Sequence, residues 1–256
     1  MKVIAAALAF VLLAGLPASA QDTPYALYAR GDYDAAVKAG EAAGNAAGFA
    51  VAARALLGQA MLRDAPCLAC LKRAEDFSRR AIAADPGYSW GQLWLAVSLG
   101  YEARINGIIR ARLDDAPGQA RRALDKAIAA DPANAYAVSA LGGWNMAIVA
   151  GGGALAARLL YGATEDKAIA LFDQAVRLAP GNVSVRYQIG LSLAGFDVDK
   201  YRDRIGREFQ ATIAGNPATA YEKAMQGRAA RLMALLAPGH EAALAALLRK
   251  YQGYPD

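Results

Sequence analysis

Apolar residues recur along this chain at helical intervals, and prolines cut the recurrence into units. In the stretch ARRALDKAIAADPANAYAVSALG, residues 120–142, Ala120, Leu124 and Ala127 precede Pro132 by twelve, eight and five positions, and Leu141 and Gly142 follow it by nine and ten. The same offsets select Ala74, Ser78, Ala81, Leu95 and Ala96 around Pro86; Ala168, Phe172, Ala175, Ile189 and Gly190 around Pro180; and Ile205, Phe209, Thr212, Gln226 and Gly227 around Pro217. Steps of four and three put a small, a bulky and a second small residue on one helix face, where a neighbouring helix can approach closely. The proline then ends that helix, because it lacks an amide donor and clashes with the carbonyl four residues back, yet it suits the first turn of the next. Each unit predicts helix, turn, helix, and the fold class is all-α.

The elements follow in order. Thr23-Pro24 reads as a cap with a first-turn proline, and residues 31–36 as a turn entering a second helix. A helix leaves residues 44–48 and runs to about 63, and another covers 68–84. The helix from 89 continues towards 113 with an interruption at Asn106-Gly107, and Asp115-Ala116-Pro117-Gly118 opens its partner. A helix from about 134 meets Gly151-Gly152-Gly153, where three glycines favour a break. ALAARLLYG follows, then a helix capped by Thr164 with Glu165 and Asp166 at its positive end. Asn182 caps the next, 201–214 forms its partner, Asn216-Pro217 starts a helix to 236, and a last helix spans 241 to about 252. The inserts INGIIRARL and GGGALAARLLYG occupy equivalent places and are expected side by side.

Leu-Gly in first helices, here Leu57-Gly58 and Leu141-Gly142, with a small, bulky, small, proline series in and after second helices, resembles the tetratricopeptide repeat (TPR) family in an exported bacterial form. Pro86, Pro132, Pro180 and Pro217 are separated by 46, 48 and 37 residues. Two consecutive units are therefore enlarged over the family's period of about 34. The resemblance implies a right-handed superhelical solenoid over residues 21–256, with about five repeats and C-terminal capping helices. In that family ligands lie along a concave groove lined by first helices. Position by position this implies Trp90, Leu93, Val97 and Gly100; Tyr136, Ser139, Gly143 and Met146; Ser184, Tyr187, Leu191 and Ala194; and Tyr221, Ala224, Arg228 and Arg231. Aromatics at the first position of three units suit an extended peptide, an apolar ligand or a partner helix; the alternative is that these rings pack against neighbouring repeats or the inserts. The layout and the segment YGATEDKAIALFDQAVRLAP also resemble the periplasmic TPR component associated with TRAP-type transporters. That likeness implies help in passing a small apolar or organic-acid ligand to a transporter.

Composition narrows the function classes. Residues 1–20 join one lysine, an uncharged apolar run and Ala18-Ser19-Ala20, the marks of a signal peptide cleaved near Ala20. A periplasmic protein without stable membrane insertion is expected. Without that leader, 27 basic residues face 23 acidic ones, a mild excess that argues against nucleic acid as a partner. Cys67 and Cys70, the only cysteines, are expected as a local disulfide in an exported chain. Covalent haem needs a histidine where Leu71 stands, zinc needs more ligands than the distant His240 supplies, and a redox pair would want thioredoxin-like surroundings. With no zinc-protease motif, nucleophile elbow or phosphate loop, neither catalysis nor a cofactor or metal is expected. The leading expectation is a non-catalytic scaffold holding a protein or peptide in its groove or on its inserts. The alternative is the ligand-handling accessory, and the third choice is a redox protein or enzyme using the cysteine pair. The inserts carry Ile105, Ile108, Ile109 and Leu113 beside Arg104, Arg110 and Arg112, and Leu155, Leu159, Leu160 and Tyr161 beside Arg158. Such strips read as an intramolecular lid, or as a binding lip, a self-association patch or a membrane contact.

Overall fold

The computed structural model describes residues 23–63 and 65–255, and the leader read from residues 1–20 lies outside them. Among the described residues there are 13 helices and no strand. They are α1 (Pro24–Arg30), α2 (Tyr33–Ala43), α3 (Ala46–Leu62), α4 (Leu68–Ala84), α5 (Ser89–Leu113), α6 (Ala116–Ala130) and α7 (Ala135–Gly152). After these come α8 (Ala154–Tyr161), α9 (Glu165–Leu178), α10 (Val183–Phe196), α11 (Val198–Ala214), α12 (Ala220–Ala234) and α13 (Glu241–Tyr251).

Polar caps set these boundaries. Thr23, Asp32, Asn45, Asn134, Thr164, Asn182, Asp197 and Thr219 each accept a hydrogen bond from an amide in the first turn they precede. Each such cap is worth about 1 kcal/mol. Caps also correct two expected starts. Helix α11 begins at Val198, ahead of 201, because Asp197 Oδ1 accepts the Lys200 amide at 2.9 Å. Helix α12 begins after Pro217, at Ala220, because Thr219 Oγ1 accepts the Glu222 amide at 3.1 Å. The expected interruption in α5 falls at Gly107, whose φ of 80° and ψ of 163° are not helical. A left-handed φ of this kind is one that glycine adopts at little cost, and it turns the last stretch of α5 out of line with the rest.

Helices pack on their neighbours in the chain, and α7 pairs with α9 because α8 is set aside from that contact. The repeated offsets acquire a physical meaning here. A Cβ on Gly142 would fall 2.6 Å from two ring carbons of Phe172, and one on Gly190 would fall 2.7 Å from a ring carbon of Phe209. The absent side chain in one helix thus seats the aromatic of its partner, and both rings are fully buried. In the earlier units the same places hold Ala96 and Leu124, packed in one core cluster.

One contact runs against chain order. Helix α12 packs against α1 and α3 as well as α10, α11 and α13. Arg228 Nη2 donates to the Met61 carbonyl at 2.7 Å, and Arg104 Nη1 donates to the Gln252 carbonyl at 2.7 Å. Tyr221 packs against both the N-terminal and the C-terminal core. The two ends of the helical array therefore meet, and the first helices of the pairs surround a common space.

Candidate functional site

That space is a cavity of about 490 Å³, within the roughly 300–1,000 Å³ of small-molecule sites. Its wall takes residues from α1, α3, α5, α6, α7, α8, α10 and α12. Most are apolar or small. Among the described residues, the charged ones on it are Arg54, Arg104 and Arg112, and no aspartate, glutamate, lysine or histidine lines it.

Arg54 is the one charged residue of α3, whose sequence is AAGFAVAARALLGQAML. Its guanidinium carbon lies 4.6 Å from the ring centre of Tyr28, 5.4 Å from Trp94, 5.5 Å from Tyr136, 5.7 Å from Trp90 and 5.8 Å from Tyr25. The rings also touch one another, with Trp90 centred 5.6 Å from Trp94 and 5.3 Å from Tyr136. Burial disfavours the Arg54 cation, but the surrounding phenols, Tyr28 foremost, outweigh it and move its pKa up, so the group stays charged. Burial in turn pushes the Tyr28 phenol up to about 12, with Arg54 opposing. The acid on α12 that approaches this wall, Glu222, has its oxygens engaged. Its Oε1 accepts from Ser184 Oγ at 2.9 Å and from the Tyr136 hydroxyl at 3.4 Å, and its Oε2 accepts from the Ala218 amide at 2.8 Å. Arg54 makes no ion pair with a carboxylate among the described residues.

The residues expected in the groove divide into two groups. Leu93, Val97, Tyr136, Gly143 and Tyr221 line the cavity, as do Gly100, Ser139 and Ser184. Trp90 stands behind it as part of the aromatic cage. Met146, Tyr187 and Leu191 are instead buried in the C-terminal core. Arg228 is buried in the closure, stacked 4.4 Å from the Tyr251 ring centre. Arg54, Tyr28 and Trp94 were not among the expected residues. The available signal was a single charge in an otherwise apolar helix, since an unpaired cation costs too much to bury without a reason.

At the cavity's rim, Ile108 and Leu160 both line the wall and are 50 % and 67 % exposed. The inserts do lie together: an added Cβ on Gly151 would be 3.5 Å from Ile108 Cδ1, and one on Gly152 would be 3.6 Å from Arg112 Nη2. Cys67 and Cys70 form a disulfide at the start of α4 with Cα atoms 5.2 Å apart, away from the cavity wall. No group of three or more His, Cys, Asp and Glu placed to hold a metal ion occurs among the described residues, and no described helix is long and apolar enough to cross a membrane.

A scan against protein-family profiles finds no match, and a search of curated proteins finds no relative.

Proposed function

We propose that the chain is a non-catalytic binding protein that holds a small, mainly apolar ligand with an anionic end, the anion resting near Arg54 and the apolar part among Leu93, Trp94 and Val97. The observation that carries this reading is the charge on the cavity wall: among the described residues it is arginine alone, and Arg54 has no carboxylate partner there. A ligand carboxylate would supply a counter-ion in a site partly shielded from water, where charge-assisted hydrogen bonds are stronger than in bulk solvent. An organic acid with an alkyl or aryl body fits both halves of the site.

The helical hairpins are read as TPR-like units of a superhelical solenoid whose ends have met. This favours ligand handling over a peptide laid along an open groove, because the concave side is closed by the contact of α12 with α3. A protein partner would have to use the outer surface. Export to the periplasm, and service to a TRAP-type transporter, are further parts of the proposal that rest on the sequence.

Calorimetric titration with dodecanoate and dodecanol tests the reading. Dodecanoate should bind at least about tenfold more tightly, since a hydrogen-bonded charge contributes about 1.5–3 kcal/mol. Equal affinity for the two, or no binding of either, would overturn it.

A further inference from the structure

The rim carries a second feature, formed by exposed residues outside the cavity together with Arg112, which also borders it. The sequence IRARL, residues 109–113 of α5, is repeated in kind by LAARL, residues 155–159 of α8. In both, the central alanine is buried: Ala111 in α5 and Ala157 in α8. In both, the large apolar residues point outward. Ile109 and Leu113 are each 76 % exposed, and Leu155 and Leu159 are 73 % and 74 % exposed. This inverts the usual order, in which a helix turns its small polar side out and its leucines in. Spacing of i, i+3 and i+4 places Arg112 beside Ile109 and Leu113, and Arg158 beside Leu155 and Leu159.

We infer that this rim docks on an anionic lipid bilayer surface, with the four outward side chains entering the interfacial zone and Arg112 and Arg158 meeting lipid phosphates. The charge pattern selects this occupant. The acids of the rim are already engaged, Asp114 with Arg110 at 2.8 Å and Asp115 with Arg122 at 2.8 Å. Arg112 and Arg158 make no ion pair among the described residues, so the strip presents leucine and isoleucine edged by free cations. Interfacial helices have this composition, with long arginine stems lying along the apolar layer and heads reaching the phosphates. The two short strips adjoin, with Gly151 beside Ile108 and Gly152 beside Arg112, and in the docked state a bilayer meets both at once. The cavity opens between them through Ile108 and Leu160, so the docked mouth would face the acyl layer.

The test is local to the rim. Ile109→Cys carries an environment-sensitive fluorophore on the full chain, the native cysteines being paired, with Asp199→Cys on α11 as the reference position. Vesicles of equal parts phosphatidylglycerol and phosphatidylcholine should shift the Ile109→Cys emission to that of an apolar environment and leave Asp199→Cys unchanged. Pure phosphatidylcholine should act at least about tenfold more weakly, given two cations each favoured near an anionic surface. Adding Arg112→Glu and Arg158→Glu should abolish the shift, and added salt should weaken it. No shift with anionic vesicles, or an equal shift with phosphatidylcholine, would overturn the inference. So would a shift that appears without vesicles as protein concentration rises, which would make the rim a contact between copies of this chain.

Discussion

Replacing Gly142 by alanine tests the packing rule that organises the fold. The new Cβ would sit 2.6 Å from both Cδ1 and Cε1 of Phe172 and 3.2 Å from the Ala168 carbonyl oxygen. Phe172 is fully buried and cannot swing away. Overpacking of this kind costs about 1–3 kcal/mol, and two ring atoms plus a backbone oxygen put this case at the upper end. Alanine returns about 1 kcal/mol through its helix propensity. The net loss is about 2 kcal/mol, a fall in Tm of roughly 4–8 °C for a chain of this size. Gly206→Ala in α11 is the matched control. Nothing lies within 4 Å of its added Cβ, so only the propensity gain of about 0.5–1 kcal/mol remains and Tm should rise. Thermal melts followed by circular dichroism separate the two. Phe172→Leu combined with Gly142→Ala should be less destabilised than the sum of the single changes, by about 1–2 kcal/mol, because the smaller side chain gives the methyl room. If Gly142→Ala proves as harmless as Gly206→Ala, or if the pair is additive, the glycine does not seat the ring and the account of the repeat fails.

Alkaline pH should unfold the protein through its buried phenols. Burial raises Tyr28 from 10.0 to about 12 and moves Tyr187 in the same direction. A raised folded-state pKa contributes stability that is complete below about pH 10 and is lost as pH climbs through the folded value, about 2–3 kcal/mol for Tyr28 alone. Stability measured by denaturant titration should therefore fall between pH 10.0 and about 12, and Tyr28→Phe should reduce that fall; a flat profile would refute it. Reducing the Cys67–Cys70 disulfide should lower stability by no more than about 2 kcal/mol, because the loop it closes is short, so a melt with reductant should show a shifted but intact transition. Arg228→Met should free α3 from α12 by removing the bond to the Met61 carbonyl, at a cost of about 1.5–3 kcal/mol. Hydrogen exchange should then speed up in residues 58–62 and 220–234, and unchanged protection there would show that the closure does not depend on Arg228.

The local grammar of this fold was legible in its sequence. The period around Pro86, Pro132, Pro180 and Pro217, the span of α4, the interruption at Gly107 and the break at Gly153 all follow from side-chain size, caps and glycine geometry within a few residues of each feature. Closure was not legible, because it depends on a bond between Arg228 and Met61, 167 residues apart, and no local period encodes that distance. The consequence reached the candidate site. With α12 against α3, the space between the first helices is narrow, so Met146, Tyr187 and Leu191 meet core neighbours, while Tyr136, Ser184 and Tyr221, the first positions of three units, line the space left and Trp90 does not. The inserts were placed correctly side by side, but the outward aim of Leu155 and Leu159 depends on which face of α8 holds Ala157, a choice that alternation of small and large residues alone does not make.

Arg54 allows one variant to separate structure from function. Removing a guanidinium from water costs several kcal/mol, and cation–π contacts return about 0.5–2 kcal/mol each, shared among rings that cannot all be optimally placed. No carboxylate closes the balance. Apolar side chains of similar volume commonly match or exceed buried charges in stability, so packing alone gives no reason for arginine in a helix otherwise free of charge. Arg54→Met should therefore leave the ligand-free protein as stable or more stable in a thermal melt, while weakening dodecanoate binding by about 10–150-fold and dodecanol binding little. The two effects have opposite signs and come from one substitution. A variant that melts several degrees lower yet binds dodecanoate unchanged would make Arg54 a structural strut within the aromatic cage, and the anion would have to be held by Arg104 or Arg112 at the outer wall.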